Sequence, residues 1–234
     1  MAAKASRPSV GRFVVSSIGI VLFFPSLTLA LAGDWRWIEG WVFALWMDAM
    51  ALSNYAYLYL HDPELLAERS KAPGADDQKK WDKYILSGAY VMAFLWLIIM
   101  PLDAKRFGWS PAFPVWLEAV GGLALLPALY LIYRATVENT FLSTRVRIQA
   151  ERKQRVIATG VYGFVRHPLY LGVLLMMFGS PLLLGSVVGL LISVVAAAVL
   201  VGRIIGEERM LVDELEGYED YRIKVRYRLL PLIW

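Results

Sequence analysis

The chain has 234 residues, of which 58% are hydrophobic and 19% charged, and its mean hydropathy is +0.52. This composition is too apolar for an ordinary soluble domain and predicts a membrane protein. The absence of cysteine excludes disulfides, thiolate catalysis and cysteine-ligated metals. The net charge of +4 does not indicate a nucleic-acid partner, because the basic residues lie in short segments between apolar runs. Membrane lipids are the simpler partner.

Six apolar runs approach the length of about 20 residues that a membrane-spanning helix needs. They cover residues 13–32, 38–60, 84–102, 113–133, 169–184 and 187–205. The first run contains Pro25 but is too long and too aromatic for a cleaved signal peptide. Only Gly185 and Ser186 separate the last two runs, which predicts a tight helical hairpin. The predicted fold is therefore an all-α, polytopic integral membrane protein with about six hydrophobic helices.

The basic residues predict the orientation and the organisation of the chain. All but three of the 24 Lys and Arg residues lie before the first run, after the second and fourth runs, or in the C-terminal region. The exceptions are Arg36, Lys105 and Arg106. The positive-inside rule then predicts that both termini and the two long loops are cytoplasmic. Residues 1–133 carry the first four helices, and residues 134–234 form a predicted catalytic region with the helical hairpin at 169–205 and a cytoplasmic cap at 206–234.

Two upstream features allow more than one interpretation. Asp48 lies midway along the second run, where an ionisable residue marks a functional site by default, although a hydrogen bond between helices is an alternative. The segment HDPELLAERSK, residues 61–71, predicts either a capped, salt-bridged amphipathic helix or part of an active-site roof. We interpret His61 as a boundary residue rather than a metal ligand, because no second histidine lies near it in the sequence.

The stretch TGVYGFVRHPLYLGVLL, residues 159–175, is the most unusual part of the sequence. It places Arg166, His167 and Pro168 directly before an apolar run, and His167 is one of only two histidines in the chain. Charged and ionisable groups are costly near hydrocarbon, so their position at the mouth of this run indicates a function.

The C-terminal region supplies a second polar group of residues. Glu207 and Glu208 lie close to the point where the sixth run leaves the membrane, and Tyr218 and Tyr221 follow. Separately, these residues are typical of a solvated helix turn and an interfacial aromatic belt. Together with the Arg-His pair they suit the carboxylate, ribose, purine and sulfonium of S-adenosylmethionine. The sequence contains neither GxGxxG nor GxxxxGK[ST], which disfavours a Rossmann or P-loop nucleotide site.

The segments TGVYGFVRHPLYLG and EERML…GYEDYRIKVRYRLLP, separated by about one helical hairpin, resemble the C-terminal signature of the isoprenylcysteine carboxyl methyltransferase family. The related phospholipid methyltransferases share this pattern. The similarity covers roughly residues 139–231. Val161 stands where the family usually has Pro, a difference that affects the stiffness of the loop and not a ligand.

The resemblance implies a site for S-adenosylmethionine that faces the cytoplasm and is roofed by the C-terminal segment, with a lipophilic acceptor entering from the bilayer. The implied cofactor-binding residues are Tyr162, Arg166, His167, Tyr170, Gly172, Glu207, Glu208, Tyr218 and Tyr221. Glu208 is expected to contact the ribose or the amino group, and Gly172 to permit close approach. The implied catalytic residues are Arg166, Glu208 and Arg226, and either arginine would orient a carboxylate acceptor. Arg226 would also help to close the roof, and no metal is expected.

Three other functions remain open at this point. A phospholipid amine N-methyltransferase would share the cofactor and the signature, with a glutamate or His167 accepting the proton from the amine. A sterol-type membrane reductase would use NADPH, and a membrane scaffold would keep the fold without catalysis. The apolar runs do not identify the acceptor or the oligomeric state.

Overall fold

A computed structural model describes residues 7–74 and 78–234, and the regular elements in these ranges are all helical. The helices are α1 (Val10–Ala32), α2 (Ile38–His61), α3 (Pro63–Arg69), α4 (Lys80–Pro101), α5 (Val115–Glu138), α6 (Pro168–Leu184), α7 (Val187–Glu214) and α8 (Tyr218–Lys224). Each predicted apolar run overlaps one of the six long helices, so the predicted polytopic helical fold is confirmed. Lys4, one of the basic residues behind the predicted orientation, lies outside the described residues.

In the part of the chain that the structure describes, four helices are long and apolar enough to cross a membrane: α1, α4 with the π-helical turn Leu102–Phe107 that follows it, α5, and α7. Helix α7 has 28 residues and is therefore about 42 Å long, which exceeds the roughly 30 Å of a bilayer core. Its last part extends beyond the predicted apolar run and carries polar residues. Helices α4 and α5 also extend past their runs, because a helix continues for as long as its side chains find packing partners.

Helix α6 is the most enclosed long helix among the described residues. All of its 17 residues are buried or partly buried, and it packs most extensively against α5. The two helices approach closely at Gly121, where a Cβ atom would lie 2.4 Å from the backbone nitrogen of Leu183. At about 26 Å, α6 is shorter than the bilayer core. It does not have to match that thickness, because neighbouring helices cover it.

The predicted hairpin between α6 and α7 is confirmed. Gly185 ends α6 in the left-handed conformation, with φ of 78°, and Ser186 caps α7 by accepting a hydrogen bond from the Gly189 amide at 2.9 Å. The Ser186 hydroxyl also donates to the buried carboxylate of Asp103, at 2.6 Å. The amide of Val188 donates to the same Asp103 oxygen, at 3.1 Å, so this carboxylate ties the hairpin to the end of α4.

Asp48 is a buried carboxylate on α2, where it is 5% exposed. Its Oδ1 has no hydrogen-bond partner among residues 7–74 and 78–234. The sequence allowed two interpretations of Asp48, a functional site or a hydrogen bond between helices. The Oδ1 atom makes no such hydrogen bond among the described residues.

At one end of the bundle, residues 61–74, 78–83, 134–167 and 206–234 form what we call the polar layer. Glu68 of α3 holds part of this layer together: its Oε1 accepts from Arg145 at 2.8 Å and from Arg147 at 2.9 Å. Lys71 pairs with its Oε2 at 2.9 Å. Burial raises the pKa of Glu68, but hydrogen bonds from Arg147, Lys71 and Ser143 and the charge of Arg147 outweigh it and keep this pKa well below its usual range. Asp62 caps α3 by accepting from the Leu65 amide at 2.9 Å, so residues 61–71 contain a capped, salt-bridged helix. The alternative, a part in an active-site roof, stays a prediction.

A second buried carboxylate joins α4 and α7 to the same layer. Asp82 is fully buried and accepts from the Arg203 Nε and from the Val146 amide, each at 2.8 Å. Arg203 also donates to the carbonyl of Thr144 at 2.6 Å. These bonds place the 143–147 segment directly over the ends of the helices.

Candidate active site

The Arg166-His167-Pro168 turn is fixed to the C-terminal segment through the main chain. The amides of Arg166 and His167 donate to the carbonyls of Tyr227 and Arg228, each at 2.9 Å. Pro168 opens α6, in the first helical turn where an amide hydrogen is not needed. The turn and the C-terminal segment, which are about 60 residues apart in sequence, therefore behave as one unit.

Glu208 is the centre of a buried network and is 3% exposed. Its Oε1 accepts from the Arg166 Nε at 2.6 Å and lies 3.2 Å from the His167 Nε2. Its Oε2 accepts from the Arg228 Nε at 2.6 Å. An ionised carboxylate only accepts hydrogen bonds, so the His167 Nε2 must carry hydrogen in this contact. Both oxygens of Glu208 are occupied by side chains of the protein itself.

Glu207 has a different role from its neighbour. Successive residues on an α-helix point about 100° apart, so the two glutamates leave α7 in different directions. Glu207 lines the large cavity and accepts a hydrogen bond from the Tyr170 hydroxyl at 2.6 Å, whereas Glu208 is not part of the lining. Glu207 is therefore the glutamate that lines the cavity, and the expected contact between Glu208 and a cofactor stays a prediction.

The position of Arg226 also differs from the expectation. Its side chain is exposed and does not line the cavity. The main-chain carbonyl of Arg226 faces the site and accepts from the Arg166 Nη1 at 2.8 Å, whereas its side chain is exposed. Arg228, two residues further on, makes the contact with Glu208. Of these two arginines, Arg228 is the one whose side chain joins the C-terminal segment to Glu208.

Three buried tyrosines form the part of the cavity wall nearest the C-terminal segment. The Tyr221 hydroxyl donates to the carbonyl of Tyr162 at 2.8 Å, and the Tyr162 hydroxyl donates to the carbonyl of Ala135 at 3.2 Å. The rings of Tyr218 and Tyr221 meet edge to face at 5.6 Å. Burial raises the pKa of Tyr162, Tyr218 and Tyr221, so all three remain neutral phenols at physiological pH.

His167 and Tyr170 lie side by side at the start of α6, with their rings stacked at 5.5 Å, and both line the cavity. Gly172 does not line it. A Cβ atom on Gly172 would lie 2.8 Å from the Ile132 Cγ1 and 3.1 Å from the Ala128 carbonyl oxygen. The close approach that the structure shows at Gly172 is between α6 and α5, and its expected approach to a cofactor stays a prediction.

The cavity has a volume of about 630 Å³ and two chemically different ends. Its polar end includes Arg69, Arg166 and Arg203 together with the tyrosines. Its other wall is apolar and is built from α1, α2, α4, α6 and α7; it includes Phe23, Phe24, Met47, Ile85, Leu86, Ala89, Tyr90, Phe94, Val173, Met176, Val199 and Leu200. Phe23, Tyr90 and Phe94 are about half exposed on the outer surface of the bundle, so the apolar end borders the region that lipid occupies.

Arg69, Arg203 and Arg228 were not among the candidate site residues, although the segment 61–71, which contains Arg69, was one candidate for an active-site roof. Arg203 lies one helical turn before Glu207 on α7, and its guanidinium carbon is 5.9 Å from the centre of the Tyr170 ring. That i, i+4 spacing was the available signal for Arg203. Arg228 and Arg69 lack such a signal, because only the folded chain brings them to the site.

The structure therefore defines a polytopic helical membrane protein whose cavity joins a cationic, aromatic polar end to an apolar wall on the lipid side. Residues 120–213 match the isoprenylcysteine carboxyl methyltransferase (ICMT) family. The protein-S-isoprenylcysteine O-methyltransferase of Schizosaccharomyces pombe is 31% identical over 168 residues, which cover 63% of this chain and 70% of the relative.

A solved structure of the eukaryotic intramembrane Ras methyltransferase ICMT (isoprenylcysteine carboxyl methyltransferase) is also similar. The alignment covers 95% of this chain and 84% of that chain, with a TM-score of 0.55 and 19% identity. At that identity the match supports the fold alone. From the sequence relatives, the chain belongs to the isoprenylcysteine carboxyl methyltransferase family. It is a multi-pass integral membrane methyltransferase that uses S-adenosylmethionine.

The cavity fits this cofactor. Its volume lies within the roughly 300 to 1,000 Å³ of small-molecule sites. Glu207 offers a carboxylate for hydroxyl groups, while the faces of Tyr218 and Tyr221 suit a purine or a sulfonium. His167 and Arg166 add polar groups at the same end.

Proposed function

We propose that this protein transfers the methyl group to the carboxylate of a lipophilic acceptor, of the S-prenylated cysteine type, that enters the cavity from the bilayer. The main support is the cavity itself, which places arginines at one end and a lipid-bordering apolar wall at the other. An acceptor with an anionic head and an apolar chain matches both ends. The name of the S. pombe relative specifies such an acceptor for that protein.

The proposed chemistry asks little of acids and bases. The cofactor supplies an electrophilic methyl group. A carboxylate acceptor is already anionic, so no residue has to remove a proton, and positioning and desolvation provide most of the rate. In this proposal Tyr162, His167, Tyr170, Glu207, Tyr218 and Tyr221 hold the cofactor. Glu208 is a positioning residue, because it fixes Arg166 and His167 without lining the cavity.

Product analysis tests the acceptor class. The purified protein in lipid is incubated with methyl-labelled S-adenosylmethionine and either an S-prenylated N-acetylcysteine or an aminophospholipid. We expect label in the prenylated acid, released as methanol by mild base because the product is an ester. Label found only in the aminophospholipid, and stable to base, would replace O-methylation with amine N-methylation.

We further propose that the polar layer faces the cytoplasm, as the basic residues predict. The chain has no cysteine, so single cysteines can report the side of each position. Lys80 is exposed in the polar layer, and Arg36 is exposed at the opposite end of the bundle. A membrane-impermeant maleimide added to intact cells should label Arg36→Cys and leave Lys80→Cys unlabelled until the membrane is opened. The reverse pattern would invert the topology.

A further inference from the structure

Arg69 is the last residue of α3, and its side chain reaches the large cavity. Its Nη1 is buried and has no hydrogen-bond partner among residues 7–74 and 78–234. The adjacent Glu68 does not neutralise it, because the Glu68 carboxylate is held by Arg145, Arg147 and Lys71. Among residues 7–74 and 78–234, no carboxylate therefore pairs with the Arg69 guanidinium at the cavity.

An arrangement of this kind is costly for the fold. A buried charge without a partner loses its hydration and receives no ion pair in return. Burial lowers the pKa of Arg69, and the nearby hydroxyls of Tyr90 and Tyr162 oppose this effect. An arginine nevertheless stays protonated inside proteins, so it remains a cation here. The buried Nη1 of Arg69 is thus available to an anion that enters the cavity.

The neighbours of Arg69 indicate which anion this is. Tyr162 belongs to the polar end of the cavity, while Tyr90 lies on α4 and is 49% exposed toward the lipid side. Phe94 follows Tyr90 by one helical turn and continues the apolar wall on the same face of α4. A chain lying along this face of α4 would bring its head group to Arg69.

We propose that Arg69 binds the carboxylate of the lipophilic acceptor and so selects acids over neutral lipids. This inference rests on the proposed O-methylation of a lipid-linked carboxylate. Arg166 and Arg203 are less suited to this role, because Glu208 and Asp82 already pair with their Nε atoms. Arginine also matches a carboxylate in geometry, since its two parallel N–H groups can bind both oxygens.

Binding measurements with a matched pair of ligands test this assignment. Calorimetry on detergent-purified protein saturated with S-adenosylhomocysteine compares an S-prenylated N-acetylcysteine with its neutral carboxamide. We expect the wild type to prefer the acid by roughly 10- to 100-fold, the effect of a hydrogen bond to a charged group. Arg69→Met should abolish this preference, and Arg69→Lys should retain part of it.

Two further measurements separate acceptor binding from other roles of Arg69. Affinity for S-adenosylhomocysteine should change less than about twofold in Arg69→Met, and the thermal midpoint should be unchanged or higher, because an unpaired buried charge is removed. Arg209→Met is the matched control, since Arg209 is exposed on α7 and does not line the large cavity. It should keep the full preference for the acid.

The outcomes distinguish this inference from the function on which it rests. A wild type that does not distinguish the acid from the carboxamide would overturn the proposed acceptor class and the role of Arg69 together. A wild-type preference that persists in Arg69→Met would overturn the role of Arg69 alone. A tenfold loss of S-adenosylhomocysteine affinity in Arg69→Met would assign Arg69 to the cofactor instead. If Arg69→Met does not fold, a folded Arg69→Lys replaces it: a reduced preference for the acid would support the assignment, and an undiminished preference would contradict it.

Discussion

Arg166 and Arg69 line the same cavity, but their guanidinium groups have opposite surroundings. Arg166 is bonded to Glu208 and to two main-chain carbonyls, all within 2.8 Å. The Nη1 of Arg69 has no hydrogen-bond partner among the described residues. The difference separates two uses of one residue type: an arginine whose partners belong to the chain fixes the wall, whereas an arginine without one is available to a ligand.

Removing the partner of Arg166 should have the largest effect. In Glu208→Gln, the buried side chains of Arg166 and His167 and the half-buried Arg228 lose their anion, which typically costs about 3 to 5 kcal/mol. Thermal unfolding in detergent should show a markedly lower midpoint, and S-adenosylhomocysteine should bind more weakly because the C-terminal segment loosens. Glu216→Gln, at an exposed position, is the control. Wild-type stability in Glu208→Gln would mean that the network does not hold the wall.

Glu68 is a second carboxylate that is held by side chains of the protein itself, and its contribution to the stability of the fold should depend on pH. Its pKa in the folded protein lies below the unfolded value of about 4.5, so its stabilising contribution is complete above that value and is lost as the pH falls below it. The contribution of such a carboxylate is about 2 to 3 kcal/mol. The thermal midpoint should therefore fall between pH 5 and pH 3 by a larger amount in the wild type than in Glu68→Gln. Parallel pH profiles would contradict this assignment.

Gly172 tests whether a predicted site residue acts through packing. Gly172→Ala would force Ile132 and the Ala128 carbonyl to move, at a cost of about 1 to 3 kcal/mol. The thermal midpoint should fall, while affinity for S-adenosylhomocysteine in the folded fraction stays within about twofold. Loss of affinity at an unchanged midpoint would instead support the direct role that the family resemblance implied.

The smallest expected effect is that of a single hydroxyl. Tyr221→Phe removes the donor to the buried carbonyl of Tyr162 and should cost about 1 kcal/mol of stability. Because this bond joins the C-terminal segment to the 3₁₀ turn before α6, a modest loss of S-adenosylhomocysteine affinity should accompany it. Tyr227→Phe, outside the cavity lining, serves for comparison. An equal change in both variants would show that the bond to Tyr162 has no special role.

The sequence predicts the membrane helices well, because a helix that crosses a lipid bilayer must be mainly apolar over about 20 residues. The six apolar runs, the Gly185-Ser186 turn and the pairing of the Arg166-His167 turn with the last helix could all be expected. The positions where helices end in the polar layer could not be predicted. There, contacts with other parts of the protein stabilise the last turns of a helix such as α7, and apolar composition no longer marks its end.

The roles of neighbouring residues were the least predictable part. Glu207 and Glu208 differ by one position, and only the rotation of α7 against its neighbours decides which one meets the cavity. Arg226 and Arg228 lie in an irregular segment with no periodicity to read. Arg69 is separated by about a hundred residues from the signature, so no local pattern connects them.

The half-exposed apolar wall at Phe23, Tyr90 and Phe94 has an energetic consequence for catalysis. Drawing a lipid chain of about ten methylene groups out of a bilayer into water costs about 8 kcal/mol. An enzyme with a water-facing pocket would have to recover this extraction cost from its own contacts with the chain. A cavity that opens sideways lets the chain remain in an apolar medium while only its head group travels. Lateral diffusion in the membrane then replaces extraction as the route by which acceptors arrive and products leave.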